Sequence, residues 1–516
     1  MQNPSISKRT EFWVLVATIL ASSMAFIDST ALNVALPIIQ AELKMDGTQV
    51  SWVANGYMLF LSALILVGGS LGDRYGRKRV YMLGIIIFSV SSLVCGLAPS
   101  VGILIAARMI QGVGGALMVP GSLALISVMF DGEKRGQAIG TWSTFTTVTT
   151  LLAPFIGGAL ASAGLWRVVF FLNLPLAVIS IYALINYVPE SRDDSVKRLD
   201  WVGALLVTLG LAGLTFGLTE APNYGFSHPL ILFTLIGGIV ALILFVVVEA
   251  RSDHPMVPLR LFRSSTFSGT NALTFFLYGA LTVVPYFLAF NLQQVQGYSP
   301  FQASWVLLPL SIFLILISRW MGGMADRVGP RLLLTIGPAL AGVGFFLLAV
   351  PGFTNGVNDY FTTYFPGALF LGIGMGITVA PLTTAVMSAV PSQSSGIASG
   401  INNAVARTAG ALALAIITSV ALVRFGGLLD AQVANLNVSS TVQAQMHEEA
   451  SKLADATPPA DVPINTAVAL KQAVKMSYIE TFRMIAVIGA VMAWLSALLA
   501  FLMVGRDKKF VPAPAT

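Results

Sequence analysis

Ionisable side chains inside long apolar stretches are the residues of this sequence with the clearest chemical potential. Asp28, Arg108 and Arg407 each fall well within such a stretch. A charged group at the centre of a bilayer is costly, so it is retained there mainly for function. A carboxylate can exchange protons when burial opposes its charged form and a nearby guanidinium favours it. We therefore predict that Asp28 is the proton-coupling carboxylate and that Arg108 is its partner.

Two other interpretations of Asp28 remain open: a permanent ion pair with Arg108, or a site that only binds a cationic substrate. The two residues lie at similar depths, about 13 Å and about 10 Å from the outer ends of their predicted helices. Arg407 has no obvious acidic partner in the sequence, and backbone carbonyls, water or an anionic substrate group are its candidate partners. Glu220 lies near a helix end, where a solvated carboxylate is expected.

The composition predicts that these residues belong to a membrane protein. The chain has 516 residues, of which 56% are hydrophobic and only 10% are charged. Soluble domains carry about 25% charged residues, and apolar runs of about 18 residues or more indicate membrane spans. We assign the net charge of +6 to cytoplasmic loops and not to binding of nucleic acid. The single cysteine, Cys95, excludes an intrachain disulfide.

Fourteen membrane spans are predicted from the apolar runs. Short connections on one side hold most of the lysines and arginines, while the other side offers little beyond Lys44 and Arg167. This asymmetry predicts that both termini are cytoplasmic, and it places the long 424–479 connection outside as one or two exposed helices. The predicted spans lie near 12–37, 49–71, 80–98, 101–126, 137–161, 167–188, 200–219, 229–249, 268–290, 301–322, 331–350, 364–387, 396–423 and 480–504.

An internal repeat divides the chain into two halves. GSLGDRYGRK at 69–78 matches GGMADRVGPR at 322–331, with an offset of 253 residues. Two further segments, 112–120 and 136–140, are matched with an offset of 260 residues. Three matches in the same order indicate a duplicated unit of six helices, with two surplus helices between the copies. Such repeats are typical of secondary transporters, whose substrate path lies between the halves.

The ordered motifs resemble the major facilitator superfamily, and within it the fourteen-span branch of drug:proton antiporters. The resemblance implies an all-α integral membrane fold with two pseudo-symmetric six-helix bundles and two extra helices. It implies an N-terminal bundle at 1–188, an inter-bundle segment at 189–263 and a C-terminal bundle at 264–516. The motifs that carry it are DSTALNVALP, GSLGDRYGRK, RMIQGVGGA, LWRVVFFLNLP, LDWVGA, HPMVPLRLF and LQQVQGYSPFQAS.

The charged segment GDRYGRKRV, residues 72–80, is interpreted as a conformational latch. The resemblance implies that it holds the two halves together on the cytoplasmic side while the cavity opens outward. Asp73 is expected to lie against the positive N-terminal end of a neighbouring helix. The alternative, that the segment only fixes topology through positive charge, does not require an aspartate. The predicted latch residues are Gly69, Asp73, Arg74, Gly76, Arg77, Lys78, Asp326, Arg327 and Arg331.

The fifth predicted helix resembles the antiporter motif of the family through Pro154, Gly157 and Gly158. Two further glycines of the family pattern are absent, which leaves uniport or another coupling open. The candidate substrate pocket combines aromatic, thioether and amide side chains, which suit an amphipathic, hydrophobic compound. Its predicted lining is Phe26, Asn33, Asn55, Tyr57, Met58, Trp142, Phe145, Asn271, Tyr278, Phe287, Asn291, Gln294 and Arg407.

We therefore expect a proton-coupled efflux transporter for amphipathic or hydrophobic compounds, working by alternating access as a monomer in the bacterial cytoplasmic membrane. Export of a lipid or an endogenous metabolite on the same fold shares every motif and stays open. An integral-membrane enzyme would need clustered Asp, Glu or His, whereas His228, His254 and His447 are scattered. The sequence contains no P-loop motif of the form GxxxxGK(S/T), which speaks against an ATP-driven pump. No metal and no cofactor other than the coupling proton is expected.

Overall fold

The protein is described by a computed structural model that covers residues 7–45, 47–130, 132–192, 200–252, 255–391, 394–436 and 438–505. These residues form helices joined by short connections, and no strand occurs among them. The N-terminal half contains α1 (Lys8–Leu43), α2 (Gly47–Tyr75), α3 (Arg77–Leu97), α4 (Val101–Met129), α5 (Gly132–Ser162), α6 (Trp166–Phe171) and α7 (Asn173–Tyr187).

The rest of the chain repeats this pattern after two inserted helices. The insertion consists of α8 (Trp201–Tyr224) and α9 (Pro229–Arg251). The C-terminal half contains α10 (Ser265–Phe290), α11 (Pro300–Val306), α12 (Leu308–Val328), α13 (Pro330–Ala349), α14 (Tyr360–Ser388), α15 (Ser395–Ala434), α16 (Ser440–Glu449) and α17 (Ile464–Met503). One π-helical turn, Asn291–Val295, follows α10.

Thirteen helical segments among the described residues are long and apolar enough to cross a membrane. The remaining predicted span corresponds to α12, whose apolar stretch covers only Leu308–Ser318. Its sequence continues with Arg319 and the second copy of the charged motif, which lower the hydropathy of this helix. The chain is therefore a multi-pass membrane protein, and its fourteen predicted spans are closely matched by the helices.

The two halves pack their helices in the same way. The α2 helix lies against α4 as α12 lies against α14, and α3 lies against α4 as α13 lies against α14. Glycines make these close approaches possible: a Cβ atom on Gly114 would lie 2.5 Å from the backbone nitrogen of Phe88. A Cβ atom on Gly374 would lie at the same distance, 2.5 Å, from the backbone nitrogen of Ala341. The sequence repeat is thus also a repeat of backbone contacts, as expected where small residues line helix interfaces.

The halves meet mainly through two helix pairs, α5 with α12 and α2 with α15, and α4 also contacts α15 while α5 contacts α14. The inserted α8 packs on α9, and it also contacts α2 and α15, so it touches both halves. At the end of α9, the buried carboxylate of Glu249 accepts hydrogen bonds from the backbone N–H groups of Met256 and Val257, at 3.2 Å and 3.0 Å. These bonds fix the direction in which the chain leaves the insertion toward the C-terminal half.

Two boundaries differ from the sequence prediction. The segment 72–80 is not a loop, because α2 continues to Tyr75 and α3 begins at Arg77, with Gly76 alone between them at φ +110°. The 424–479 connection is also shorter than predicted, because α15 extends to Ala434 and α17 begins at Ile464. Both helices continue past their apolar runs on polar, helix-forming sequence, which hydropathy alone does not detect.

Candidate functional site

The predicted pair of Asp28 and Arg108 lies in a fully buried polar cluster. The Nη1 atom of Arg108 donates both to the Asp28 carboxylate and to Oε1 of Gln111, the latter at 2.7 Å. The Nε2 atom of Gln111 donates in turn to Oδ1 of Asp28 at 2.9 Å. Both carboxylate oxygens of Asp28 are therefore hydrogen-bonded, and none of the three side chains is more than 1% exposed.

Three helices hold this cluster in place. Arg108 and Gln111 are three residues apart on α4, so both project from one face toward Asp28 on α1. The Nε atom of Arg108 donates to the backbone oxygen of Val53 on α2 at 3.0 Å. The guanidinium also lies over the ring of Tyr57, 4.6 Å from its centroid. The backbone oxygen of Val53 and the ring of Tyr57 thus hold the Arg108 guanidinium in position beside the carboxylate.

Gln111 is not among the residues predicted from the sequence, although its position three residues after Arg108 on a predicted helix is a signal that could have indicated it. Its amide can donate to an ionised carboxylate and accept from a guanidinium at the same time. Asp28 therefore receives a hydrogen-bonded ion pair from Arg108 and one further hydrogen bond from Gln111. All three members of the cluster are enclosed by protein here.

The predicted latch residue Asp73 contacts the other half of the molecule. Its carboxylate accepts hydrogen bonds from the backbone N–H groups of Gly396 and Ile397, at 3.3 Å and 3.0 Å. These amides belong to the first turn of α15, where the helix dipole favours a negative charge. Arg77 forms an ion pair with the same carboxylate at 2.6 Å, one helical turn away. A buried aspartate thus joins the end of α2 to the start of α15.

Close glycine contacts join the two halves at the end that holds Asp73, once between α2 and α15 and once between α12 and α5. A Cβ atom on Gly69 would lie 2.4 Å from the backbone oxygen of Gly396. The repeat equivalents show the reciprocal contact, because a Cβ atom on Gly322 would lie 2.3 Å from the backbone oxygen of Gly136. The charged motif of each half, at 69–78 and 322–331, therefore packs against the 396–400 or 136–140 segment of the other half. The halves are in contact at the end that is predicted to be cytoplasmic.

The other predicted latch residues are anchored within their own half. Gly76 adopts a left-handed conformation, and a Cβ atom there would lie 2.7 Å from the Glu190 carboxylate. That carboxylate accepts hydrogen bonds from the backbone N–H groups of Lys78 and Arg79 and so caps α3, a role that the sequence analysis missed. In the second copy, the Nε atom of Arg331 donates to the backbone oxygen of Phe501 at 2.8 Å.

Two latch residues lie in the last turns of their helices. The guanidinium of Arg74 lies 5.8 Å from the ring centroid of Tyr75, and Arg327 occupies the last turn of α12. The side chains of Asp326, Asn33 and Pro154 are not among those that the structure describes.

The predicted antiporter-motif helix, α5, packs closely on α1. A Cβ atom on Gly157 would lie 2.5 Å from the backbone oxygen of Ala31, so only glycine permits this approach. Ala31 is three residues from Asp28, and Gly157 therefore helps to set the position of the α1 segment that carries the carboxylate. Gly158 follows it in the same helix.

The predicted pocket residues divide into an exposed group and an enclosed group. Phe26, Met58 and Phe145 expose 38%, 37% and 53% of their surface. Asn55, Tyr278 and Gln294 are half-buried, and the half-buried Trp142 donates to Oγ of Ser22 at 3.0 Å. The enclosed residues correct the prediction, because protein covers them and they line no open surface in this conformation: Tyr57, Asn271, Phe287 and Asn291.

Arg407 lies on α15 and faces α2. Its Nη1 atom donates to Sδ of Met58 at 3.3 Å, and its Nε atom is buried without a hydrogen-bond partner. The carboxylate of Glu220 on α8 differs from the prediction. It is predicted to be solvated, but Glu220 is only 6% exposed. It is buried because α8 packs between α9 and the two bundles rather than standing alone in water.

The opposite end of the N-terminal half carries an ion pair that the sequence analysis did not predict. The Glu42 carboxylate accepts from Nε1 of Trp166 at 2.7 Å and from Arg167 at 2.5 Å. The hydrogen bond from Trp166 and then that from Arg167 hold the pKa of Glu42 below its usual value. This contact ties the end of α1 to α6.

Comparisons with known proteins agree with this architecture. The Major Facilitator Superfamily profile matches residues 18–414. Multidrug resistance protein Stp of Mycobacterium tuberculosis is 33% identical over 417 residues, which cover 80% of this chain and 76% of that protein. The tetracenomycin C resistance and export protein of Streptomyces glaucescens is 28% identical over 96% of this chain and 92% of that protein.

A solved structure shows the same fold at low sequence identity. The crystal structure of the human organic anion transporter MFSD10 matches 95% of this chain and 100% of that chain with a TM-score of 0.59. Its sequence is 13% identical, so the likeness concerns the fold alone. The profile match, the two relatives and the duplicated six-helix architecture together show that the chain belongs to the Major Facilitator Superfamily.

Proposed function

We propose that this chain is a proton-coupled exporter of amphipathic or hydrophobic compounds that works by alternating access of a path between its two halves. The observation that carries the proposal is the enclosed Asp28–Arg108–Gln111 cluster inside a duplicated bundle. The relationship to proteins named for multidrug resistance and for tetracenomycin C resistance and export supports the direction of transport. A buried ionisable group in such a bundle is the usual mark of an ion pathway.

Asp28 carries the coupling proton in this proposal. While Asp28 is ionised, it holds the Arg108 guanidinium through the ion pair. Protonation removes that charge, which frees Arg108 to move relative to α1 and couples the proton to a rearrangement of α1 and α4. The driving force suffices, because each charge gains about 2.3 kcal/mol per 100 mV and each pH unit adds about 1.4 kcal/mol.

Asp73 controls the second step, the opening of the predicted cytoplasmic end. Its carboxylate stabilises the closed contact between α2 and α15 through two backbone hydrogen bonds. Breaking these bonds leaves the buried carboxylate with Arg77 as its remaining partner. Because a desolvated charge with fewer partners is unfavourable, it creates a free-energy barrier between the closed and the open state. The molecule therefore switches between two discrete states.

We further propose that the protein works as a monomer in a bacterial cytoplasmic membrane, with both termini in the cytoplasm, and that it has no enzymatic activity. Lysine and arginine are concentrated on the connections at the end that holds Asp73, in agreement with the positive-inside rule. Export of a lipid or an endogenous metabolite is the second outcome that the following experiment distinguishes.

Uptake into everted vesicles tests the proposal. We expect an imposed pH gradient, acidic inside, to drive accumulation of amphipathic compounds from a panel of cationic, anionic and neutral drugs and of lipids. Asp28→Asn removes the exchangeable proton, so the variant is expected to lose accumulation against a gradient while it retains downhill flux. Asp430→Asn makes the same chemical change at a partly exposed carboxylate that pairs with His447, and it is expected to behave as the wild type.

Two results would contradict the proposal. Accumulation against a gradient by the Asp28→Asn variant would remove Asp28 from coupling. Uptake that requires ATP and survives an uncoupler would exclude ion coupling altogether. Accumulation of lipids alone would assign the transporter to lipid export on the same fold.

A further inference from the structure

Arg407 has most of its hydrogen-bonding capacity unused. Its Nη1 atom donates only to the thioether of Met58, a weak acceptor, and its Nε atom is buried without a partner. Among the described side chains, no carboxylate forms an ion pair with it. A guanidinium is costly at membrane depth unless a partner compensates its charge. The Arg407 guanidinium therefore lacks a strong hydrogen-bond acceptor among the described side chains.

Arg407 lies midway along the interface between the two halves. Arg407 stands eleven positions after Gly396 on α15, and Met58 stands eleven positions before Gly69 on α2. At a rise of about 1.5 Å per residue, both side chains lie about 16 Å from the closed glycine contact. Arg407 and Met58 thus meet at one level between the halves, where a transported compound must pass.

The charges at this level do not cancel. Asp28 is already neutralised by Arg108, and Gln111 occupies its second oxygen. Arg407 adds a second guanidinium without a second carboxylate, so the described ionisable groups of the central region sum to one positive charge. The attraction between opposite charges is strong in a medium of low dielectric constant. Such a site favours an anion over a cation.

The side chain in contact with this charge is the Met58 thioether. Phe26 and Phe145 are exposed aromatic residues of α1 and α5, which pack on each other. Trp142 and Thr149, one turn to either side of Phe145, bond to Ser22 and Ser23 of α1. Phe26 lies one turn after these serines. A thioether beside an unsatisfied guanidinium fits a compound with an apolar body and one acidic group.

We infer that the exported compounds are amphipathic anions, and that Arg407 binds their carboxylate, phenolate or phosphate oxygens. The inference rests on the proposed function and names the substrate class of the same path. A guanidinium can bind such a group through two parallel hydrogen bonds, which gives both strength and orientation. Arg407 therefore determines specificity.

Three pyrene probes with the same body and different heads test this inference. Saturable binding of 1-pyrenebutyrate, 1-pyrenebutanol and 1-pyrenebutylammonium to the purified full-length protein is measured by fluorescence anisotropy at pH 7. We expect the wild type to bind the butyrate at least tenfold more tightly than the ammonium compound. Arg407→Gln is expected to weaken butyrate binding at least tenfold and to change butanol binding less than threefold.

Two further variants keep the result interpretable. Arg407→Lys retains a positive charge and is expected to retain the preference for butyrate, although it loses the bidentate geometry. Arg483→Gln removes a guanidinium that already pairs with Glu480, at 2.6 Å, and it is expected to leave the ranking unchanged. A wild type that binds the ammonium compound as tightly as the butyrate, or an Arg407→Gln variant with an unchanged ratio, would overturn the inference.

The binding assay separates this inference from the proposed function. It requires neither a pH gradient nor transport, so a protein that binds butyrate selectively but does not concentrate it would refute the exporter and retain the anion site. A protein that concentrates cationic drugs against a gradient would retain the exporter and refute the anion site. If the substitutions at Arg407 prevent folding, the ranking of the three probes by the wild type decides.

Discussion

At the scale of single residues, the chemistry of the N-terminal half depends on how one carboxylate is compensated. Asp28 receives an ion pair from Arg108 and a hydrogen bond from Gln111, while Arg108 also binds the backbone oxygen of Val53. Both carboxylate oxygens of Asp28 and the Nε and Nη1 atoms of Arg108 therefore have partners. Removal of one partner leaves a buried charge incompletely satisfied, which costs more than the hydrogen bond itself contributes.

The substitution Gln111→Leu tests this dependence. It removes the amide that donates to Oδ1 of Asp28 and accepts from Arg108. Because an unsatisfied buried polar group costs about 1–3 kcal/mol, we expect gradient-driven uptake to fall about tenfold or more. Uptake rates in everted vesicles, with the amount of folded protein measured in parallel, give the result.

A glutamine outside the cluster provides the comparison. Gln293 is exposed in the turn after α10, and Gln293→Leu is expected to transport at the wild-type rate. Wild-type uptake by the Gln111→Leu variant would show that the amide contributes nothing to coupling. Equal losses in both variants would point to a general effect of leucine on folding.

At the scale of helices, glycines decide how closely the two halves approach. Gly69 and Gly72 lie one turn apart on α2, but only Gly69 lies against the other half. A Cβ atom on Gly69 would lie 2.4 Å from the backbone oxygen of Gly396, whereas one on Gly72 would meet only Arg77, at 4.0 Å. The same amino acid therefore has two roles in one motif, and the tertiary contact distinguishes them.

The substitutions Gly69→Ala and Gly72→Ala form a matched pair. In Gly69→Ala the methyl group collides with the α15 backbone, which cannot move aside as a side chain would, so the closed contact is destabilised. We expect about 1–3 kcal/mol from overpacking of this kind, measured as greater labelling of cysteines introduced at the closed end. Gly72→Ala is expected to label as the wild type does, and equal labelling of the two variants would contradict the role of the glycine contact.

At the scale of the whole molecule, the duplicated scaffold carries the Asp28–Arg108–Gln111 cluster in its N-terminal half. The residues that stand 253 positions after Asp28 and 260 positions after Arg108 and Gln111 are Leu281, Ala368 and Leu371. Helix packing is repeated while the polar cluster is replaced by apolar side chains, of which Ala368 and Leu371 are fully buried. We therefore expect the duplicated packing to carry the proposed two-state motion, whereas the proposed proton site has no polar counterpart at these three positions of the C-terminal half.

Distances between the halves test this two-state motion. Tyr75 and Val328 are repeat equivalents at the ends of α2 and α12, and both are about half exposed, at 50% and 53%. Spin labels at these positions in a Cys95→Ala background are expected to show a short separation in the wild type. Asp73→Asn weakens the contact with α15, so we expect a second, longer population in double electron–electron resonance.

A pair of labels within one half is the control for this experiment. Tyr75 and Ile185 both belong to the N-terminal half, and their separation is expected to stay the same in Asp73→Asn. A change within the half as large as the change between the halves would mean that the bundle is distorted. An unchanged separation between the halves would remove Asp73 from the control of opening.

The sequence by itself determined the membrane class, the approximate number of membrane spans and the repeat, because apolar runs and glycine spacing are local features of the sequence. It also indicated Asp28 and Arg108, since charges in apolar runs are rare. It placed Gln111 one turn from Arg108 but could not show that it reaches Asp28, and it could not indicate Glu190 as the cap of α3 or Arg407 against Met58. These contacts join residues that are distant along the chain, and their geometry depends on side-chain directions and helix rotations.

Only the tertiary structure decided which of the predicted pocket residues are exposed. Tyr57 and Met58 are adjacent in sequence and chemically suited to the same pocket, yet a helix turns by about 100° between neighbours. Tyr57 therefore lies under Arg108, while Met58 faces Arg407 and the other half. The physical reason is that hydropathy fixes where a helix runs, whereas packing against its neighbours fixes which side faces the path.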